Sequence, residues 1–120
     1  MKVAVIGSRL AVDLSFERIL ENLPKDCQEL VSGGSGAVDL MAEALAKKQN
    51  LKFKCFLPEY EKYGKCAPLV RNIKIIEYSD LIIAFWDNIS HGTKFVIKEA
   101  LKRNVPVKTI YIKSKNSILK

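Results

Sequence analysis

Two apolar runs, "KVAVIG" at 2–7 and "LIIAFW" at 81–86, constrain this chain most. Side chains of an extended strand alternate between two faces, so a run that is apolar at successive positions needs cover on both. A strand with one wet face would alternate apolar and polar residues instead. Strands buried on both sides belong to a parallel sheet with helices above and below it. Helical segments should therefore separate the strands.

They do. Asp13 is placed to cap a helix carrying Phe16, Ile19, Leu20 and Leu23 at helical spacing, and Pro24 stops it. A second strand lies in "CQELVSG"; the helix after it carries Val38, Met41 and Leu45 on one stripe and ends in "KKQN". "LKFKCFLP" is a third strand. A polar loop follows, then a helix in "APLVRNIKIIEYSD" with Leu69, Ile73 and Ile76 inward. After "LIIAFW", the fourth strand, "GTKFVIKEALKRN" is a helix with Val96, Ile97, Ala100 and Leu101 inward and Lys94, Lys98 and Lys102 outward. "VPVKTIYI" is a fifth strand, with Pro106 near its start or on an edge. No repeat or linker divides residues 1–120, so one domain is expected. The pattern predicts an α/β fold: a minimal doubly wound parallel sheet in the order 3-2-1-4-5, helices on both faces. Ligands of such sheets bind outside the carboxyl ends of the strands, at the switch point, here between the first and fourth strands. The loops reaching it are "GSR", "GGSGA" and "WDNISHGT".

The second loop belongs to "LVSGGSGAVDLMAEALA", residues 30–46. Gly33 and Gly34 would turn the chain sharply and let backbone N–H groups approach a ligand. Gly36 and Ala37 open a helix whose unpaired N–H groups and dipole favour an anion, and a phosphate suits that corner. The alternative is a tight turn with close helix–sheet packing and no ligand. The segment is not the dinucleotide fingerprint, which follows a first strand, nor a P-loop, since no Gly-Lys-Ser/Thr follows. A second corner is "SHGTKF", where Gly92 and Thr93 begin a helix; the hydroxyl can cap it or bond a phosphate oxygen.

The formal net charge is +7, which invites nucleic acid or anionic small ligands. The lysines are scattered, and only "KTIYIKSKNSILK" concentrates them, so a solvated surface is the simpler account. Cys27, Cys55 and Cys66 are odd in number and lack C-x-x-C spacing, which suggests neither a disulfide framework nor a zinc site. With one histidine, no metal cluster is expected. The thiols read as reduced core or near-core residues of a cytoplasmic protein. No segment is long enough to span a membrane, and the apolar run at the start is too short for a signal peptide.

At these residues the chain resembles the SLOG superfamily of Rossmann-like nucleotide-binding proteins, in particular its small YspA/YpsA-related branch. "VAVIGSR" resembles that branch's opening strand, and "LVSGGSGAVDLMAEALA" its Gly-Gly-x-x-Gly-Ala-Asp segment. "PEYEKYGKCAPLVRN" is similar to its loop ending in Gly-Lys, then Ala, then Arg-Asn. "DLIIAFWDNISHGT" is similar to its fourth strand and Gly-Thr turn. The superfamily includes the Lonely Guy phosphoribohydrolases, the DNA-processing protein A family and nucleotide-linked sensor domains. The resemblance therefore implies a nucleotide-like ligand rather than one activity. The phosphoribohydrolases carry Pro-Gly-Gly-x-Gly-Thr-x-x-Glu with a catalytic Glu, and an Arg on the preceding helix. Here Gly92-Thr93 and Arg71 match, "NIS" replaces the prolyl-diglycine, and Val96 stands at the Glu position. Glu99 is about one helical turn further on, too far to substitute.

The expected ligand-binding set is Gly7, Ser8, Arg9, Gly33, Gly34, Gly36, Asp39, Arg71, Asn72, Gly92 and Thr93. Arg9 would clamp a phosphate or stack on a base, or stay an exposed loop residue. Asp39 would accept a ribose hydroxyl or complement the helix dipole. Asn72 is a poor interior helix residue, which suits a polar task. Arg71 and Asp87 are the catalytic candidates. Gly64 and Lys65 would lie in a loop over the crevice, Trp86 would cap the core or stack on a base, and His91 would be exposed. The expectation is a nucleotide-binding module with no cofactor beyond that ligand. Its alternatives are an N-glycosidase with a relocated acid and a single-stranded nucleic-acid binder. With little chain after the fifth strand to cover the sheet edge, a homodimer is expected.

Overall fold

A computed structural model describes residues 1–8, 11–12, 14–34 and 36–114. The strands are β1 (Lys2–Gly7), β2 (Glu29–Ser32), β3 (Lys52–Cys55), β4 (Leu81–Trp86) and β5 (Val107–Tyr111). They pair in parallel throughout, in the order β3-β2-β1-β4-β5. The fold is the expected α/β, Rossmann-like arrangement, with β1 and β4 at its centre.

The alternation of side chains divides the interior into two layers. Val3 and Val5 of β1 join Leu30, Ile83 and Phe85 on one face; Ala4 and Ile6 join Val31, Ile82 and Ala84 on the other. Helices α1 (Phe16–Leu20) and α2 (Gly36–Lys48) cover the first face through Ile19, Val38, Ala42 and Leu45. The loop after β3 holds a short helix, α3 (Tyr60–Tyr63), and a 3-10 turn (Gly64–Cys66). Helices α4 (Ala67–Tyr78) and α5 (His91–Lys102) cover the second face through Ile75, Ile76, Val96 and Ala100. Each fully buried aliphatic side chain stabilises the fold by roughly 1.5–3 kcal/mol relative to exposure. The edge strands are half wet: Lys52 and Lys54 on β3 and Lys108 on β5 face solvent, which discourages edge-to-edge pairing.

The helices depart from expectation at their margins. Asp13, the expected cap of the first helix, lies outside the described residues. The cap is Ser15, whose Oγ accepts from the Arg18 N–H at 3.2 Å. That helix ends at Leu20, short of Pro24, and one turn can bury only one face: Ile19 is buried while Phe16 and Leu20 are exposed. Leu101 was expected inward and is 64% exposed. Val96 and Ala100 form the centre of the α5 stripe, and Leu101 is turned about 100° from Ala100. Leu69, also expected inward, is exposed; it lies about two turns nearer the start of α4 than Ile76 and belongs to neither buried cluster. Cys27 and Cys55 are half-buried, whereas Cys66 is exposed rather than near-core, and all three thiols are free. Among the described residues no helix is long and apolar enough to cross a membrane.

Candidate functional site

The switch point lies where the strand order places it, since β1 pairs with β2 on one side and β4 on the other. Beside it a cavity of about 290 Å³ opens at the carboxyl ends of β1 and β2. Ile6 and Gly7 contribute from β1, and Gly33 from the turn after β2. Pro68, Arg71, Asn72 and Ile75 contribute from α4. Ser90, Gly92, Thr93 and Val96 contribute from the start of α5, and Asp39, Pro58 and Tyr60 complete the lining. Of the expected ligand residues, Gly7, Gly33, Asp39, Arg71, Asn72, Gly92 and Thr93 thus meet at one cavity. Ser8, Gly34 and Gly36 do not line it. Arg9 lies outside the described residues.

Arg71 is the pivot. Its Nη1 donates to the Gly33 carbonyl at 2.6 Å and its Nε to Asn72 Oδ1 at 2.8 Å. The guanidinium lies so close to the turn that a Cβ on Gly33 would come within 2.7 Å of Nη1. Bare backbone at Gly33 is therefore needed for an arginine thirty-eight residues away in sequence. Gly34 and Gly36 are needed for a different reason: their φ angles are +75° and +82°, in the left-handed region that favours glycine. A Cβ on Gly34 would also meet Cys55 Sγ and Leu57 Cδ2 at 2.7 Å.

Two N–H groups of the turn expected to face a ligand, those of Gly33 and Gly34, are bonded within the corner itself. Asp39 Oδ1 accepts from Ser32 Oγ at 2.7 Å and from the Gly33 N–H at 3.3 Å, and Ser32 Oγ accepts from the Gly34 N–H at 3.2 Å. Asp39, 8% exposed, is a staple across the corner. The Gly33 carbonyl in turn holds Arg71 at the cavity.

Asp87 is also a structural group. It does not line the cavity. Its Oδ1 accepts from the N–H groups of Ile89 and Ser90 at 2.9 and 2.8 Å, and its Oδ2 from Ser114 Oγ at 2.5 Å. Burial would raise its pKa, but the bonds from Ser114, Ser90, Ile89 and Ser8 outweigh burial and lower it to about 2. Ser8 is buried beside it, its Oγ accepting from the Asp87 N–H at 3.2 Å. Both residues fasten the loops at the switch point.

The other assignments sort in the same way. Ser90, not Thr93, caps α5: its Oγ accepts from the Thr93 N–H at 3.4 Å and lies 3.2 Å from Thr93 Oγ1. A serine just before an amphipathic run is a legible cap signal that the reading of Gly92-Thr93 passed over. Trp86 donates from Nε1 to the Ser90 carbonyl at 3.0 Å, packs beside Tyr111 and does not line the cavity. Gly64 and Lys65 form the 3-10 turn and do not line it either; Pro58 and Tyr60 supply the rim. Glu59 anchors that rim to α4 through Lys74 at 2.8 Å. His91 is exposed. Glu99 faces Lys102 and Arg103 at 3.6 and 3.4 Å, away from the cavity, whereas Val96 lines it.

Among the described residues the cavity thus holds one guanidinium, the Asn72 amide, one carboxylate already bonded to the corner, two hydroxyls at a helix start and the Tyr60 side chain, with a largely apolar remainder. Arg71 has no carboxylate partner among the described residues. No family model matches the chain, and no curated protein matches it.

Proposed function

We propose that the chain is a binding module for a nucleotide or nucleotide-derived ligand, seated in this cavity with its phosphate on Arg71. The carrying observation is a half-buried guanidinium whose acceptors, the Gly33 carbonyl and the Asn72 amide, are both neutral. Arginine keeps its charge at ordinary pH, and a sheltered charge gains most from an opposite one. Its planar fork suits a phosphate. Ser90, Gly92 and Thr93 set the first turn of α5 against the same space, and the helix dipole adds to the field there. Ile6, Ile75, Val96, Pro58, Pro68 and Tyr60 provide an apolar surface for a base. The resemblance to the SLOG superfamily supports the same ligand class.

Turnover is not part of the proposal. An oxocarbenium-like state at the sugar needs a nearby carboxylate, and Val96 occupies the position where the hydrolases of that superfamily carry theirs. Asp87, the candidate for a relocated acid, is committed to Ser114 and the loop ahead of α5. We place the protein in the cytoplasm, a reading supported by three cysteines that form no disulfide. We propose a homodimer through the exposed Leu101 on α5 and Tyr111 on the edge strand β5. Light scattering reads that state directly, and a monomeric mass across the accessible concentration range would refute it.

Calorimetric titration with the four common nucleoside 5′-monophosphates tests the central reading. At least one should bind, and Arg71→Gln should lose about tenfold or more, as expected when a hydrogen bond to a charged group is removed. Unchanged affinity in Arg71→Gln would put the ligand elsewhere. Chromatography of the same mixtures should find no free base.

A further inference from the structure

We infer that Asn72 sets the anion preference of the cavity, giving Arg71 a neutral acceptor and adding a donor of its own. The inference rests on Arg71 as the anion-holding group. An Asn side chain can face a partner with either end of its amide, but the Arg71 Nε–H at 2.8 Å requires the oxygen there. The NH₂ end is thereby left over, and it has no acceptor among the described residues. Arg71 Nη2 has none either. Both side chains line the cavity, so the pair offers N–H groups and no unpaired oxygen to what enters it.

The alternative at this position is a carboxylate of the same shape. It would hold the guanidinium more strongly, through a charge-assisted bond. It would also cancel the positive charge at contact distance, and it would replace the NH₂ by an oxygen that repels a phosphate. Stability alone would favour the acid. Asn is also among the weaker helix formers, and it stands inside α4 rather than at its cap. The amide is the choice that keeps the arginine positioned and its charge unspent. Asp39, the other oxygen-bearing group near Gly33, bonds Ser32 and the Gly33 N–H through Oδ1 and makes no ion pair with Arg71. Asn72 is therefore a positioning residue for Arg71 and a specificity residue for the anion.

The test compares Asn72→Asp, Asn72→Ala and Arg71→Gln with the natural chain, by NMR titration of inorganic phosphate and of adenosine 5′-monophosphate. The Arg71 Nε–H resonance reports the bond to position 72, and thermal unfolding reports the fold. Asn72→Asp should keep that resonance, unfold at the same or a higher temperature, and bind both anions about tenfold or more weakly. Asn72→Ala should lose the resonance and bind less weakly than Asn72→Asp, since it loosens the arginine without neutralising it. Affinity in Asn72→Asp within about twofold of the natural chain, with Arg71→Gln defective, would overturn the inference and leave the anion site standing. Equal losses in Asn72→Ala and Asn72→Asp would reduce Asn72 to a strut and overturn the charge argument. Natural affinity in Arg71→Gln would overturn the site itself, and the inference with it.

Discussion

Asp87 illustrates how one residue type at one position can serve structure rather than chemistry. A carboxylate at the end of a central strand is where an acid or a sugar-binding group is useful. Here both oxygens are engaged, by two backbone N–H groups and a serine hydroxyl. Its folded pKa is about 2, against an ordinary 3.8. The stabilisation is therefore complete above the ordinary value and is lost as pH falls from there through about 2. Asp87→Asn should cost on the order of 2 kcal/mol at neutral pH, because the charge-assisted bonds to Oδ1 become neutral and the Ser114 hydroxyl loses its acceptor at Oδ2. Urea unfolding at pH 7 and pH 3 checks both statements, and nucleotide affinity should not change. An Asn variant as stable as the natural chain would mean that these three bonds contribute nothing net. At this scale the sequence was least legible. Asp39 stands seven residues from Ser32 and Arg71 stands thirty-eight from Gly33, so neither partnership follows from local spacing. Asn72 was legible as a misfit in a helix, but its partner was not. Pro58, Tyr60 and Ile75 were missed as lining residues because only the folded chain brings them to β1, whereas Ser90 lay in a loop expected there and was not singled out.

At the scale of elements, the glycines mark contacts that the elements make. Gly7 ends β1 where α2 crosses: a Cβ there would lie 2.6 Å from Val38 Cγ2 and 2.8 Å from the Phe85 carbonyl. A strand backbone cannot step aside for a methyl group, so Gly7→Ala should destabilise by roughly 1–3 kcal/mol through overpacking. Gly92 is the opposite case. A Cβ there meets nothing within 4 Å, and the residue lies in the first turn of α5 facing the cavity. Gly92→Ala should leave stability unchanged or raise it by up to about 1 kcal/mol, since Ala is the better helix former. The same methyl narrows the ligand's space, so nucleotide affinity should fall. The two variants separate glycine as packing from glycine as clearance, and denaturation with titration on each reads the difference. Gly34 belongs with the first kind. With φ at +75° and Cys55 and Leu57 against it, Gly34→Val is a lesion of the turn rather than of a phosphate seat. The existence of these elements was legible from apolar runs and periodicity. Their inward faces were legible at the centre of each stripe, at Val96 and Ala100. They failed at the margins, at Leu101 and Leu69, where a helix meets the limit of the sheet that it covers.

For the whole molecule, strand order was legible because few arrangements satisfy continuous apolar strands separated by helices. The formal charge of +7 is the property that order does not explain. If the charge served a nucleic-acid strand, its lysines should gather along one path with aromatic rings between them. Instead the exposed lysines are dispersed over β3, the end of α2, the outer face of α5 and β5. Among the described residues, only Arg71 supplies a cation to the cavity. The two uses of charge differ in their response to salt. A single guanidinium on one phosphate releases no condensed counterions and responds to salt only through ordinary screening, whereas a strand neutralised by several lysines gives a steep slope of log affinity against log salt. Mononucleotide binding measured from low to moderate salt should therefore weaken only slightly. Binding of a labelled single-stranded oligonucleotide, if present at low salt, should disappear over the same range, and Arg71→Gln should leave it unaltered. A steep slope for the mononucleotide would assign the ligand to the lysine surface. A shallow slope for the oligonucleotide, lost in Arg71→Gln, would make the cavity the end-binding pocket of a strand binder and displace the module reading. A shallow mononucleotide slope that depends on Arg71 locates recognition in the cavity and leaves the lysines as the solvated exterior of the domain.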